Sequence, residues 1–327
     1  MASGSFSPLI AVVGPTGVGK TRVAINLCEQ LGGEIISADS RQIFQGMDIG
    51  TDKPTEDQRK AARHHLLDIV APDEEFTLPQ YQERAYLAIE DVLSRKKVPF
   101  LVGGTGLYIR AVLEGFVIPR VEPDPHLRQE LLEEAERDGA MVLHARLRKV
   151  DPAAAAKIDP ANVRRVIRAL EVYQQLGEPI SRLQKRQKPP YRILKIGLTM
   201  ERKELYRRID QRVDDMMERG LLSEVQRLVS ERYGFDLPAM SGLGYRQIGM
   251  YLREEVDLST AIGKIKSETH RFVRQQYKWF RTDDETIHWF DVEDGPAHTL
   301  GALVQEFLHR PEKTANPPAE SAPVSAV

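Results

Sequence analysis

The chain of 327 residues has one cysteine, three asparagines and a formal net charge of only −2. Each scarcity excludes something. A lone cysteine cannot form an internal disulfide, and Cys28 shares helical spacing with Ala24, Leu27 and Leu31, which predicts packing rather than redox chemistry. Nowhere do eighteen apolar residues run together, so no transmembrane helix is expected. The N-terminal "MASGSFSPLI" lacks the basic stretch and long apolar run of a secretory signal. A cytoplasmic protein is the expectation. None of the three asparagines (Asn26, Asn162, Asn316) precedes a lysine, so the Asn-Lys-x-Asp guanine signature is missing, and Asp-x-x-Gly occurs nowhere. The near-neutral charge does not by itself announce a nucleic-acid partner. It conceals segregation, however: Arg182, Lys185, Arg186, Lys188, Arg192 and Lys195 share a stretch without acids, whereas 122–138 and 283–294 are acid-rich.

What is present begins at residue 9. "LIAVVGPTGVGKTRVAINL" is an apolar run, a glycine-rich turn and a helical pattern in succession. The turn reads Gly14-x-x-x-x-Gly19-Lys20-Thr21, with Pro15, Thr16, Gly17 and Val18 between. Its glycines let backbone N–H groups turn toward an anion, and the helix start adds partial positive charge. Lys20 suits the outer phosphate and the Thr21 hydroxyl suits Mg²⁺. A hydrolytic motor would also need a strand ending in an aspartate for its metal. The strand-like "VPFLVGG" ends in glycine instead. The loop thus reads as a diphosphate cradle without the rest of a nucleotide engine, with a small-molecule kinase still open. Two further strand ends offer Asp39, as general base, metal ligand or turn residue, and Thr105, whose flanking glycines permit close approach to a ligand.

Strand and helix signals alternate through "LIAVVG", "GEIISAD" and "VPFLVGGTG", with a helix from Thr77-x-x-Gln80 to about Lys96, which predicts a parallel α/β sheet. After Gly115 the texture becomes helical. Asp151-Pro152 and Asp159-Pro160 are expected helix starts, and Gly177 an expected stop. "YRILKIGLTM" and "TIHWFDV" read as returning strands, with helical stretches at 201–232 and 259–281 between them. The expected domains are an α/β core over 8–118 and 191–310, a small helical insertion domain over 119–190, and a disordered tail over 311–327. On the 259–281 stretch, Arg271, Arg274, Lys278 and Arg281 are expected on one face, with Ile262, Ile265, Phe272, Val273 and Phe280 as the core stripe.

"GPTGVGKT", "ISADSRQIFQGMDIGTDKP", "HHLLDI", "LVGGTGLYIRA", "NVRRVIRALEVY", "LYRRIDQRVDDMMERGLLSEV", "GLGYRQ" and "THRFVRQQYKWFR", in that order, resemble the tRNA dimethylallyltransferase family. The resemblance implies a P-loop NTPase-like parallel sheet flanked by helices. It implies transfer of a dimethylallyl group from dimethylallyl diphosphate to N6 of an adenosine beside the tRNA anticodon, with Mg²⁺. The loop would then hold an isoprenoid diphosphate as leaving group, with Arg202 as a further clamp. Asp39 would be the general base and Thr105 would lie at the reacting centre. RNA contacts implied are Asp39, Ser40, Arg41 and Gln42 on the extruded base, Arg164, Arg165 and Arg168 in the insertion, Gly244, Tyr245 and Arg246, and the basic face of the 259–281 helix. The partner is a tRNA anticodon stem-loop, and the protein is expected to act as a monomer. The chain departs from the family at Phe44, where Tyr is common, and at Gln275 and Lys278, where Arg and Thr are common. His64-His65 resembles a family pair and reads as structural, since metal ligation needs more partners. An adenylate prenyltransferase is the neighbouring alternative.

Overall fold

The computed structural model describes residues 6–119 and 121–309; the expected tail over 311–327 lies outside them. Eight strands occur among these residues: β1 (Ser7–Val13), β2 (Gly33–Ser37), β3 (His64–His65), β4 (Val98–Val102), β5 (Phe116–Val117), β6 (Lys185–Arg186), β7 (Tyr191–Thr199) and β8 (Ile287–Asp291). Six form one wholly parallel sheet in the order β3-β2-β4-β1-β7-β8. The apolar runs of β1 and β4 are explained by their central places: Ile10 faces Phe100 on one side and Leu194 on the other. Strands covered on both faces need no polar alternation. Because the strands run the same way, the ends of β1, β2 and β4 deliver residues 14–21, 38–42 and 103–105 to one edge. Ligands bind at that edge in open α/β sheets.

The chain divides into two compact units. The first comprises Met1–Glu74, Leu87–Gly106 and Pro190–Val327. Its core gathers Ile10, Val12, Val18, Phe100, Ile196, Leu198, Leu205, Ile209 and Val273. Each such side chain contributes about 1.5–3 kcal/mol by leaving water. The 201–232 stretch is two helices, Arg202–Glu218 and Leu221–Ser230, because Gly220 between them adopts φ 97°. The next long helix, Leu258–Trp279, buries Ala261, Ile265, Thr269, Val273 and Gln276. That corrects the expected stripe: Phe272 is exposed and Gln276 is inside. It also removes Arg281 from the helical face, since the helix ends at Trp279 and Arg281 pairs with Asp283.

The second unit comprises Glu75–Tyr86 and Leu107–Pro189, so it takes in more chain than the 119–190 insertion. Helices Pro125–Asp138, Ala140–Val150 and Val163–Leu176 close over Leu127, Leu131, Leu143, Leu147, Val166, Ile167 and Leu170. Asp151 caps a short helix beginning at Pro152, as its Asp-Pro pair predicts. Asp159-Pro160 does not start one. Asp159 instead accepts the Ala161 N–H at 2.9 Å in a turn, and Asn162 caps the helix that follows. Gly177, at φ 70°, ends that helix as expected.

Candidate active site

The phosphate loop leaves β1 at Gly14 and enters the Lys20–Leu31 helix through Gly19, which is left-handed at φ 95°. Gly14 has no alternative: at φ +142° a Cβ there would sit 2.4 Å from the Leu198 carbonyl oxygen. The helix start has no side-chain cap and no acidic residue in its first turn. The amides of Gly17, Gly19, Lys20 and Thr21 donate to no other residue among those described. An uncapped helix start with unengaged amides suits an anion. Lys20 Nζ donates to the Pro15 carbonyl at 2.8 Å, folding the side chain back over the loop. Burial pushes its ammonium down to about 8; Arg212 pushes the same way, while Asp39 and Asp52 partly oppose them.

The other two strand ends are tied together beside it. Thr105 Oγ1 accepts the Ser40 N–H at 3.0 Å, and its own N–H donates to the Ala38 carbonyl at 3.2 Å. Thr105 therefore holds the turn that carries Asp39. One Asp39 oxygen, Oδ1, accepts the Arg41 N–H at 2.8 Å, while Oδ2 accepts from no described residue. Gln276, 3% exposed, links this edge to the phosphate loop. Its Oε1 accepts the Thr16 N–H at 2.8 Å and its Nε2 donates to the Gly104 carbonyl at 3.0 Å. A Cβ on Gly104 would lie 2.4 Å from that amide nitrogen and would push it from its place. Thr16 thus spends its own amide on Gln276 rather than on the cradle.

The two strand ends, and the phosphate loop through Thr16, open onto a cleft of about 560 Å³. Thr16, Asp39, Ser40, Arg41, Gly104 and Thr105 line one side; Arg212, Gly244, Tyr245, Arg246, Arg271 and Phe272 are among those lining the rest. An IPP transferase family model matches residues 42–283. A tRNA dimethylallyltransferase from Roseiflexus sp. is 54% identical over 274 residues, spanning 84% of this chain and 90% of that one. Its counterpart from Dehalococcoides mccartyi is 46% identical over 303 residues, 93% of each chain. The chain belongs to the tRNA dimethylallyltransferase family. Among solved structures, a tRNA isopentenylpyrophosphate transferase from Bacillus halodurans is 40% identical with a TM-score of 0.69, over 92% of this chain and 97% of that one. A eukaryotic dimethylallyltransferase described as acting on tRNA is 27% identical with a TM-score of 0.77, over 94% of this chain and 81% of that one. The parallel sheet with its phosphate loop is the fold of this family.

Within this tRNA dimethylallyltransferase-family chain the expected site residues are not all at the cleft; of the phosphate loop, Thr16 alone lines it. Asp39, Ser40, Arg41, Thr105, Gly244, Tyr245, Arg246 and Arg271 meet at the cleft. Arg41 and Arg246 are already engaged there, Arg41 with the Pro238 carbonyl at 2.8 Å and Arg246 with Glu268. Gln42 sits behind the lining, its Nε2 donating to the Thr51 and Asp52 carbonyls at 3.3 and 3.1 Å. Arg202, the first residue of its helix, is exposed and does not line the cleft; Arg212, further along the same helix, does. Arg212 Nη1 lies 3.1 Å from Asp52 Oδ2, and its charge acts on Lys20. Arg274 donates to the Tyr206 hydroxyl at 3.1 Å, and Lys278 is exposed, neither lining the cleft. In the second unit Arg164 and Arg165 are exposed, whereas Arg168 pairs with buried Glu171 at 2.5 Å. His65 bonds Glu34 and His64 bonds the Ala62 carbonyl, both at 2.7 Å. Of the family departures, Phe44 is buried and Gln275 lines the cleft.

Proposed function

We propose that the protein transfers a dimethylallyl group from dimethylallyl diphosphate to N6 of the adenosine 3′-adjacent to the anticodon of tRNA, releasing diphosphate. The observation that carries this reading is one cleft edge, in a chain of this family. It joins an anion cradle of unengaged loop amides, with Lys20 folded over it, to a turn that presents the open Oδ2 of Asp39.

The chemistry follows from the parts. Adenine N6 is a poor nucleophile because its lone pair is delocalised into the ring. The allylic carbon is a good electrophile once the departing charge is neutralised. The loop amides and Lys20 supply that neutralisation from fixed positions, so no solvent need reorganise as charge develops. Arg212, standing on the cleft where Arg202 does not, adds a second cation. As the C–N bond forms and the C–O bond breaks, the electron pair leaves with the diphosphate. The N6 proton passes to Asp39. Thr105 keeps the Asp39 turn in place through Ser40.

A magnesium ion fits the donors present. The Thr21 hydroxyl makes no hydrogen bond to a described residue, and no group of three or more His, Cys, Asp or Glu gathers among the described residues. Thr21 would therefore hold the ion through its hydroxyl. When bound, it would offset negative charge on the leaving group.

An adenosine stacked in an anticodon loop has to be extruded to reach Asp39, at about a few kcal/mol. Gripping the flanking RNA repays that cost. Arg271 at the cleft and Arg164 and Arg165 in the second unit are the exposed cations assigned to it, acting on phosphates. We take the protein to work as a cytoplasmic monomer. No helix of the described residues is long and apolar enough to cross a membrane.

The test is direct. The chain is incubated with unmodified tRNA, dimethylallyl diphosphate and Mg²⁺, and the digested nucleosides are weighed. A dimethylallyl gain on adenosine is expected, reduced about 10²–10⁴-fold in Asp39→Ala. Transfer at the wild-type rate in that variant removes the base assignment. Prenylation of free AMP in preference to tRNA favours the adenylate enzyme, and label moving from ATP to an acceptor favours a kinase.

A further inference from the structure

The Leu221–Ser230 helix buries Leu221, Val225 and Leu228, and Glu224 lies on the same face at 8% exposure. No lysine or arginine pairs with it among the described residues. Its charge is met by dipoles instead. Oε2 accepts the N–H groups of Asp48 at 2.9 Å and Ile49 at 2.8 Å. Oε1 accepts the Gly50 N–H at 3.1 Å and the Tyr245 hydroxyl at 2.6 Å. Three consecutive amides aimed at one carboxylate form a small nest. Gly50 must be a glycine here, because a Cβ would come within 2.5 Å of the Tyr245 ring. Burial and the Glu224 charge raise the Tyr245 hydroxyl well above its ordinary range, so it stays a neutral donor.

The segment so anchored runs straight into the cleft. Gly50, Thr51 and Asp52 line it, as does Tyr245. The Thr51 and Asp52 carbonyls hold the Gln42 carboxamide, whose oxygen also receives the Ser37 hydroxyl at 3.3 Å. The Asp52 carboxylate holds Arg212. We propose that Glu224 is a positioning residue for the reaction: by gathering the 48–50 amides it fixes the 51–52 carbonyls and the Asp52 carboxylate, which orient Gln42 behind the cleft lining and Arg212 on it. This rests on the prenyl-transfer reading and assigns a remote, solvent-shielded carboxylate a part in it. Of the other buried carboxylates, Glu34 and Glu171 find cations and Asp151 caps a helix, whereas the amides that Glu224 gathers lead into the cleft.

The experiment measures kcat and KM for tRNA with dimethylallyl diphosphate in the full chain, with Tm alongside. The variants are Glu224→Gln, Gln42→Ala, the double variant, and Tyr245→Phe. Glu224→Gln keeps the volume but turns one acceptor into a donor facing N–H or O–H groups. Its kcat/KM is expected to fall about 10- to 100-fold. Because Gln42 acts downstream of Glu224, the double variant is expected to lose little more than the worse single variant. Tyr245→Phe, which spares the three amide bonds, is expected to lose about three- to tenfold. Glu224→Gln within twofold of wild type, or losses that multiply fully in the double variant, overturns the inference. If Glu224→Gln does not fold, Tyr245→Phe within twofold of wild type does the same. Wild-type transfer is read in the same assay. Its absence sinks the prenyl-transfer reading, whereas its presence with an unimpaired Glu224→Gln sinks this inference alone.

Discussion

At one end, which reaches the cleft lining through Thr16, the groups that would meet a diphosphate come from eight consecutive residues, 14–21, and most are backbone amides. At the other end, the surroundings of Asp39 are assembled from 38–42, 48–52, 103–105, the 224 and 245 positions and Gln276. The first end is a local structure: its glycines and helix start suffice to make it. The second exists only once the sheet is formed and three separate helices have docked. A local site tolerates change elsewhere and responds to its own few residues. An assembled one responds to substitutions far from the chemistry. The two ends are therefore expected to fail differently.

The largest separable effect is at the loop. Lys20→Met is expected to weaken Mg²⁺–pyrophosphate binding by about 100-fold, the loss of one charge-assisted contact. Binding of an adenosine-containing anticodon stem-loop should stay within about threefold. Calorimetry with each ligand checks both, and an equal collapse of stem-loop binding would show that the ends are not independent. Proton linkage gives the same lysine a second signature. With Lys20 at about 8 in the free protein, a diphosphate that binds the ammonium form raises that value in the complex. Affinity is then complete below pH 8 and falls above it, by up to about tenfold per pH unit. Lys20→Arg should flatten that alkaline limb, because a guanidinium keeps its proton throughout.

Smaller effects are expected in the second unit. Arg164→Ala and Arg165→Ala should each weaken tRNA binding about three- to tenfold. Each should also reduce the salt slope by roughly 0.7–0.9, the signature of one lost phosphate contact. Pyrophosphate binding should not change. Filter binding over a salt series separates this from Arg168→Ala, which strips a partner from buried Glu171 and should appear chiefly as a lower Tm. An unchanged salt slope in all three variants would take the phosphate contacts away from this helix.

The contrast between the two ends also explains what could be read from residues alone. The phosphate loop, the parallel strands and the Asp39 and Thr105 strand ends are encoded by contiguous patterns, and the sheet places them together. Arg212 could not be picked out, because "YRRIDQRVDD" offers several charges on one helix and only its ion pair with Asp52 and its place on the cleft distinguish it. Arg202 is singled out by the family resemblance, and at the helix start it is exposed. Phe272 looked like core because a helical stripe does not say whether it faces packing or a cleft. Glu224 did leave a trace: a carboxylate sits between Leu221, Val225 and Leu228 on an otherwise apolar face, and a buried charge demands partners. Its three amide partners, 174–176 positions away, are what no local pattern contains.

The smallest expected effect on chemistry comes from the buried glutamate that belongs to neither end. Glu34 on β2 is met by Arg95, His65 and Lys97. Burial alone would raise its carboxyl, but the hydrogen bonds from Arg95, His65 and Lys97 prevail and hold it at about 2. A carboxyl depressed in the folded state contributes stability that is complete above its unfolded value near 4.5 and disappears as pH falls toward 2. Glu34→Gln should therefore flatten the Tm-versus-pH curve across that window and lower Tm at neutral pH by about 3–8 °C. Its kcat/KM should stay within twofold of wild type. Thermal melts from pH 2 to 7 with parallel kinetics test this against Glu224→Gln, where activity rather than the acid limb should suffer. A Glu34→Gln variant that lost activity in step with Glu224→Gln would mean that cation-paired and amide-paired carboxylates serve the cleft alike. The difference between scaffold and site would then not lie in the kind of partner a buried charge is given.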